Sequence, residues 1–167
     1  MPVRLSLWMC KVSILFSFNS TNPQHLPMID YEKLRKSLKH LEAQFENFRL
    51  AKDRPELTEL DREGIAESVI QRFETCYDTL WKDLKRYLIE EIGLAEVPNS
   101  PKPVIKLAGQ NDLFASPVEK WLEYADARTD TAHDYSGEKA ASTLATVEGF
   151  IDDAIGLYQT MSGTTWE

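Results

Sequence analysis

The sequence predicts an all-α protein, an up-and-down helical bundle of four to five helices. Three observations predict it. Apolar residues recur at intervals of three and four over long segments. Glycine and proline are scarce, at 7 and 8 of 167 residues, and most prolines gather between the periodic segments. Nowhere does a stretch of useful length show the alternation of a half-buried strand. The chain is long enough for one domain with a real core and short for two.

The first helix is expected from Asp30 to about Lys52. Leu34, Leu38, Leu41, Phe45 and Phe48 alternate four- and three-residue steps there, which places them on one face. Arg54-Pro55 closes this segment, because the residue before proline avoids the helical region. Thr58 followed by Asp61 has the spacing of a capping box. The helix it opens, roughly Glu59 to Ile92, is the longest. Its stripe of Ile65, Val69, Phe73, Cys76, Leu80, Leu84 and Leu88 is widened by Ile70, Tyr77, Trp81 and Tyr87. So wide an apolar face contacts more than one neighbour, which puts this helix at the centre of the bundle, and Gly93 is expected to cap it.

Pro98, Pro101 and Pro103 mark a connector, followed by a short helix from about Val104 to Asp112. Ser116-Pro117 has the form of an N-cap and first-turn proline for a helix running through Trp121 and Tyr124. The stretch from Asp126 to Tyr135 is polar and reads as turn-rich. Ser136-Gly137 introduces a last helix, with Leu144, Val147, Ile151, Ile155 and Tyr158 on its face.

Residues 1–27 stand apart. Arg4 precedes a patchy apolar run from Leu5 to Phe18 that Lys11 interrupts, and no small-residue cleavage site follows, a poor signal peptide. Met28 opens the helical pattern. The expected organisation is therefore a poorly structured extension over 1–27, upstream of the true start or at most a loosely attached arm, and a helical domain over 28–167. No segment approaches the length of a membrane span. Cys10 and Cys76 form neither a disulfide framework nor a metal spacing, so a reducing cytoplasm is the simplest compartment.

The formal net charge is −8. An acidic chain is poorly suited to sequence-independent nucleic-acid binding, where phosphate neutralisation dominates affinity, so any RNA site must be a local basic concavity. Glycine-rich phosphate loops, HExxH, paired CxxC and nucleophile elbows are all absent from the sequence. His25, His40 and His133 lie far apart, and neither a metal nor a cofactor site follows from spacing. Lys33, Lys36 and Lys39, like Lys82, Lys85 and Arg86, read as solvated helix faces, and Trp81 and Phe73 as core.

One segment concentrates chemistry: Arg128-Thr129-Asp130-Thr131-Ala132-His133-Asp134-Tyr135. Arginine can hold phosphate through two parallel hydrogen bonds and stabilise charge in a phosphoryl-transfer transition state. Histidine moves protons near neutral pH. A phenol adds a polar group and an acceptor for modification. The structural alternative is equally simple: Arg128 pairs with Asp126 or Asp130, His133 is a satisfied interior histidine, and Tyr135 anchors the last helix. In one continuous helix, positions five apart lie about 140° around the axis. Arg128 and His133 then face one point only if a helix begins between them or if two chains contribute.

The order arginine, four residues, histidine, one residue, tyrosine resembles the RX4HXY motif of HepT-like proteins in the HEPN superfamily. Val69-Ile-Gln-Arg-Phe-Glu74, Trp81-Lys82 and the Leu84 to Leu88 stretch resemble the family's long second helix. Ser100-Pro101, Val104-Ile105 and Trp121-Leu122 follow in the family's order. The resemblance covers about Met28 to Met161. It implies a homodimer whose motif segments meet across the interface, and a metal-independent endoribonuclease that needs no cofactor. Arg128 and His133 are then the catalytic pair, acting on tRNA or mRNA to leave a 2′,3′-cyclic phosphate and a 5′-hydroxyl. It also implies a minimal nucleotidyltransferase antitoxin that silences the ribonuclease by transferring AMP to Tyr135. Thr129, Asp130 and Arg72 are supporting candidates, Arg72 because it lies on the matching stretch of the second helix. HEPN ribonucleases usually carry Asn, Asp or His after the arginine, where this chain has Thr129. Two other activities fit the same helical dimer: a non-catalytic substrate-binding subunit of a nucleotidyltransferase, and a structural dimerisation bundle.

Overall fold

The computed structural model describes residues 29–131 and 137–167, with the side chains of 131 and 137–139 left aside. Its elements are helices: α1 (Glu32–Ala51), α2 (Glu59–Glu90), α3 (Pro101–Gln110), α4 (Val118–Thr131) and α5 (Gly137–Ser162). No strand occurs among the described residues. The all-α expectation holds.

α1 and α2 run antiparallel. Ser37 lies beside Cys76, Gln44 Nε2 donates to the Ile65 carbonyl at 3.5 Å, and Lys33 lies in the field of Asp83. As the position on α1 rises, the partner on α2 falls. The turn between them is fixed at both ends. Thr58 Oγ1 accepts from the Asp61 N–H at 3.1 Å while the Asp61 carboxylate accepts from the Thr58 N–H at 2.8 Å, the reciprocal box expected from the spacing. Arg62 closes the other side, donating from Nε to the Ala51 carbonyl at 3.3 Å and from Nη2 to the Arg54 carbonyl at 2.8 Å. A guanidinium thus meets the last carbonyl of α1, which has no intrahelical partner, and a carbonyl of the turn that follows.

α2, at 32 residues, touches every other helix, as its wide stripe requires. Val69, Phe73, Cys76, Leu80, Leu84 and Leu88 are fully buried. Trp81 is not: it sits half-buried at the edge of the core, with Lys82 Nζ 5.9 Å from its ring centre. Gly93 takes φ +80°, which lets the Leu94 N–H return to the Leu88 carbonyl at 3.0 Å.

Two boundaries differ from expectation at prolines. α3 begins at Pro101 rather than Val104, with extended Ser100 as its cap and Pro103 still in its first turn. First-turn N–H groups have no intrahelical acceptor, so prolines there cost nothing, and what reads as a connector is a helix start. α4 begins after Pro117, and the Ser116 hydroxyl is buried without a hydrogen-bond partner among the described residues instead of capping the helix. The two helices approach closely where Gly109 faces Val118; a Cβ on Gly109 would fall 2.5 Å from Val118 Cγ2.

α4 is also longer than its apolar residues suggest, carrying helical geometry through the polar stretch to Thr131. It runs antiparallel to α5: Tyr124 Oη donates to Asp153 Oδ2 at 2.6 Å and packs edge-on against Phe150 at 5.4 Å. On α5 the buried arc is centred on Val147, Phe150, Ala154, Leu157 and Met161, while Leu144 and Ile155 are only half-buried. α5 contacts α1, α2 and α4, so its inner face is set by all three neighbours and not by one aliphatic line. Phe150 is the meeting point, 5.0 Å from Phe73 and edge-on to it. The four long helices make the up-and-down bundle, with α3 as a short insertion between the second and third of them.

Candidate functional site

Arg128 lies in the last turn of α4, directly before the segment with His133 and Tyr135. His133 and Tyr135 fall at 132–136, outside the described residues. Arg128 reaches across to α2. Its Nε donates to Asp78 Oδ1 at 3.2 Å and its Nη2 to Asp78 Oδ2 at 3.1 Å, two parallel bonds along one edge of the guanidinium. Nη1 lies 3.6 Å from Glu74 Oε1. The side chains of Glu74, Arg128 and Asp78 are 14%, 26% and 41% exposed, so the cluster spans the wall of a surface cleft.

Local partners, Asp126 or Asp130, are what the sequence suggested for Arg128. The structure supplies carboxylates from fifty positions away, and the Asp126 carboxylate pairs with Lys102 at the start of α3. Glu74 and Asp78 are four apart on α2, hence on one face, beside the core residues Phe73 and Tyr77. That spacing at the margin of a buried stripe was the signal that sequence reasoning passed over.

The cleft is about 500 Å³, bounded by Tyr77 and Asp78 of α2, Pro101 and Lys102 of α3, and Ala125, Arg128 and Thr129 of α4. The Tyr77 hydroxyl is buried without a hydrogen-bond partner among the described residues. Its pKa is pushed well above the usual phenol range by burial first, then by Asp78 and Asp126, with Arg128 acting against them.

The other supporting candidates divide. Thr129 lines the cleft with Arg128 and returns its hydroxyl to the Ala125 carbonyl at 3.0 Å, a bond to its own helix. Asp130 faces a separate groove between α4 and α5 with Glu123, Asp126, Ser142 and Thr146. Arg72 is exposed on α2, about 120° around the axis from Asp78. The structure brings Arg128 and Thr129 together and leaves Asp130 and Arg72 elsewhere.

The electrostatics around Arg128 are not those of a basic concavity. Glu74 and Asp78 bracket one guanidinium, and Asp126 offsets Lys102. Among the described residues no group of three or more His, Cys, Asp or Glu is placed to hold a metal ion. Cys76 is buried, and burial pushes its thiol up to about 12, which makes it unreactive as a nucleophile. No helix of the described residues is long and apolar enough to cross a membrane.

The family model described as nucleotidyltransferase substrate binding protein like matches residues 29–163, which spans the five described helices. The chain belongs to that family. A solved structure agrees in fold: the chain superposes with a TM-score of 0.64 on a Haemophilus influenzae structure described as revealing the fold of a substrate binding domain of a nucleotidyltransferase. That match is at 21% identity and covers 79% of this chain and 98% of the other. A curated relative, the probable ribonuclease HepT of Haemophilus influenzae, is 28% identical over 92 residues, 54% of this chain. The match spans 62% of the length of that relative. The resemblance to HepT-like proteins drawn from RX4HXY is therefore borne out at the level of family.

Proposed function

We propose that the protein is an endoribonuclease of the HepT kind, working as a homodimer and paired with a nucleotidyltransferase. The observation that carries this is Arg128, anchored in the last described turn of α4 and lining a cleft, five positions before His133 in a chain of this family. The relative named probable ribonuclease HepT supports it.

The chemistry asked of the motif is transesterification. One His133 takes the proton of a ribose 2′-hydroxyl as the oxygen attacks the adjacent phosphorus. The bond from phosphorus to the 5′-oxygen breaks, and the second His133, as imidazolium, protonates that oxygen. Arg128 stabilises the charge gathering on the non-bridging oxygens. The products are a 2′,3′-cyclic phosphate and a 5′-hydroxyl. Two carboxylates more than neutralise one Arg128, so one chain offers RNA phosphate little net attraction at this point. Bringing two motif segments together supplies the second arginine and the two histidines that the reaction needs. In the same scheme the partner transfers AMP to Tyr135, and the added phosphate repels RNA from the neighbouring site.

The test is cleavage of RNA by the purified chain in EDTA, beside His133→Ala. Cleavage leaving cyclic-phosphate ends, reduced by about 10²- to 10⁴-fold in the variant, is the expected result. An intact RNA after incubation with folded dimer would defeat the ribonuclease. A second activity, a non-catalytic substrate-binding subunit, is favoured by the surplus of carboxylate around Arg128. It would show as complex formation with the nucleotidyltransferase and no change in RNA.

A further inference from the structure

The grip on Arg128 has a design that goes beyond simple charge pairing. Asp78 takes the Nε–Nη2 edge of the guanidinium in a fork of two bonds, at 3.2 and 3.1 Å. A fork fixes the plane of the group as well as its place, which one bond cannot do. Glu74 adds a second contact at 3.6 Å from Nη1, one helical turn away on the same face of α2.

The carboxylate end of this contact is firmly held. Glu74 and Asp78 follow Phe73 and Tyr77, which are buried in the bundle, so their backbone is fixed by the core. Arg128 lies in the last described turn of α4, at the polar end of that helix. A long, flexible arginine side chain needs an external brace to present one orientation, and the braced residue is the described motif residue that precedes His133 in sequence.

We propose that Asp78, supported by Glu74, is the positioning residue for Arg128: it sets the plane in which the guanidinium meets an RNA phosphate. It acts on the reaction only through that arginine. The proposal rests on the ribonuclease function above and deepens it. A 1 Å misplacement of a group that stabilises charge is enough to lose about two orders of magnitude in rate. Asparagine at 78 keeps the shape of aspartate but offers a single acceptor and turns an amide N–H toward the other guanidinium donor, so the fork fails.

The experiment compares the full chain with Asp78→Asn, Asp78→Glu and Arg128→Ala in steady-state cleavage of a short oligoribonucleotide. Circular dichroism and thermal melts confirm that each variant is folded. Asp78→Asn is expected to lower kcat about 10- to 100-fold with KM changed less than about threefold, and Asp78→Glu to recover part of the loss. A kcat within twofold of wild type while Arg128→Ala is inactive would overturn the proposal. So would a fall in KM with a rise in rate, which would make Asp78 a competitor of phosphate.

A second readout separates this from failure of the ribonuclease itself. The Nε–H resonance of Arg128 in nitrogen-15 spectra should be protected from exchange in the wild type and lost in Asp78→Asn. If the wild type cuts no RNA, the ribonuclease falls. The positioning role is then scored on the Arg128 resonance, protected from exchange in the wild type and exchanging in Asp78→Asn. A resonance unprotected in the wild type, or equally protected in Asp78→Asn, overturns it.

Discussion

Arg128 and Asp78 are fifty positions apart and meet edge to edge, 3.1 and 3.2 Å between their paired atoms, tying the end of α4 to the middle of α2. The contact joins the one motif residue the structure describes in full to a helix that the motif does not include.

Its thermodynamic weight should be modest on one side and larger on the other. Asp78 is 41% exposed, so solvent screens its pairing, and Asp78→Ala is expected to cost about 0.5–1 kcal/mol. Arg128→Ala also strips the ion pair from the largely buried Glu74 and should cost about 2 kcal/mol. Denaturant melts of both variants and the double variant, closed as a cycle, would measure the coupling. Equal costs for the two single variants would show that Glu74 contributes nothing.

Phe150 holds three helices at once, within 5.0 Å of Phe73 on α2 and 5.4 Å of Tyr124 on α4. Phe150→Ala should cost about 3–5 kcal/mol, because the surrounding rings cannot collapse into the space. Leu144→Ala, on the half-buried flank of the same helix, should cost well under half of that. Similar melts for the two variants would place the core on the aliphatic line and not at Phe150.

Asp83 is buried on α2, with Oδ2 lacking a hydrogen-bond partner among the described residues and Arg86 3.9 Å from Oδ1. Burial raises its pKa, Asp30 adds to the rise, and Arg86 and Lys33 oppose it without winning. A carboxyl whose folded pKa is raised binds its proton more tightly in the folded state. The penalty for charging it is therefore fully present above the folded pKa and disappears as pH falls toward the unfolded value of about 3.9. Asp83→Asn is expected to be more stable than wild type at pH 7 by about 1 kcal/mol, or 2–4 °C in the midpoint, with the gap closing near pH 4. Thermal melts from pH 4 to 8 check it; a gap that widens on acidification has the wrong sign.

Tyr135→Phe removes the proposed AMP acceptor while leaving Arg128 and His133 in place. Incubated with the cognate nucleotidyltransferase and ATP, wild type should gain about 329 Da, the mass of one adenylyl group added for one proton lost. The Phe variant should gain none. It should also stay toxic on co-expression with the partner. Equal neutralisation of both forms would remove Tyr135 from the regulatory scheme.

How much of this was legible in the sequence depended on how local the cause was. The stripes of α1 and α2, the Thr58–Asp61 box and the Gly93 cap are set by spacings of three and four, and the structure keeps them. The start of α3 was missed because proline reads as a breaker unless its position in the first turn is known. The polar stretch after Asp126 hid the end of α4, since its helix is fixed by contacts on α2 and α5 and not by an apolar period. On α5, Ala154 and Thr143 are buried although neither stands out in a search for large aliphatics. The partner of Arg128 was the least legible of all, because nothing within ten residues specifies a carboxylate fifty positions earlier.

The central place of α2 has a kinetic consequence. A helix that touches all four others cannot open without unmaking each of those contacts, so amide protons in its middle should exchange with solvent only when the whole chain unfolds. α3, ten residues long and packed among the described helices on α2 and α4 alone, is free to open by itself. The slowest-exchanging amides should therefore trace α2 from about Phe73 to Leu84, and they would report on the backbone that carries Asp78.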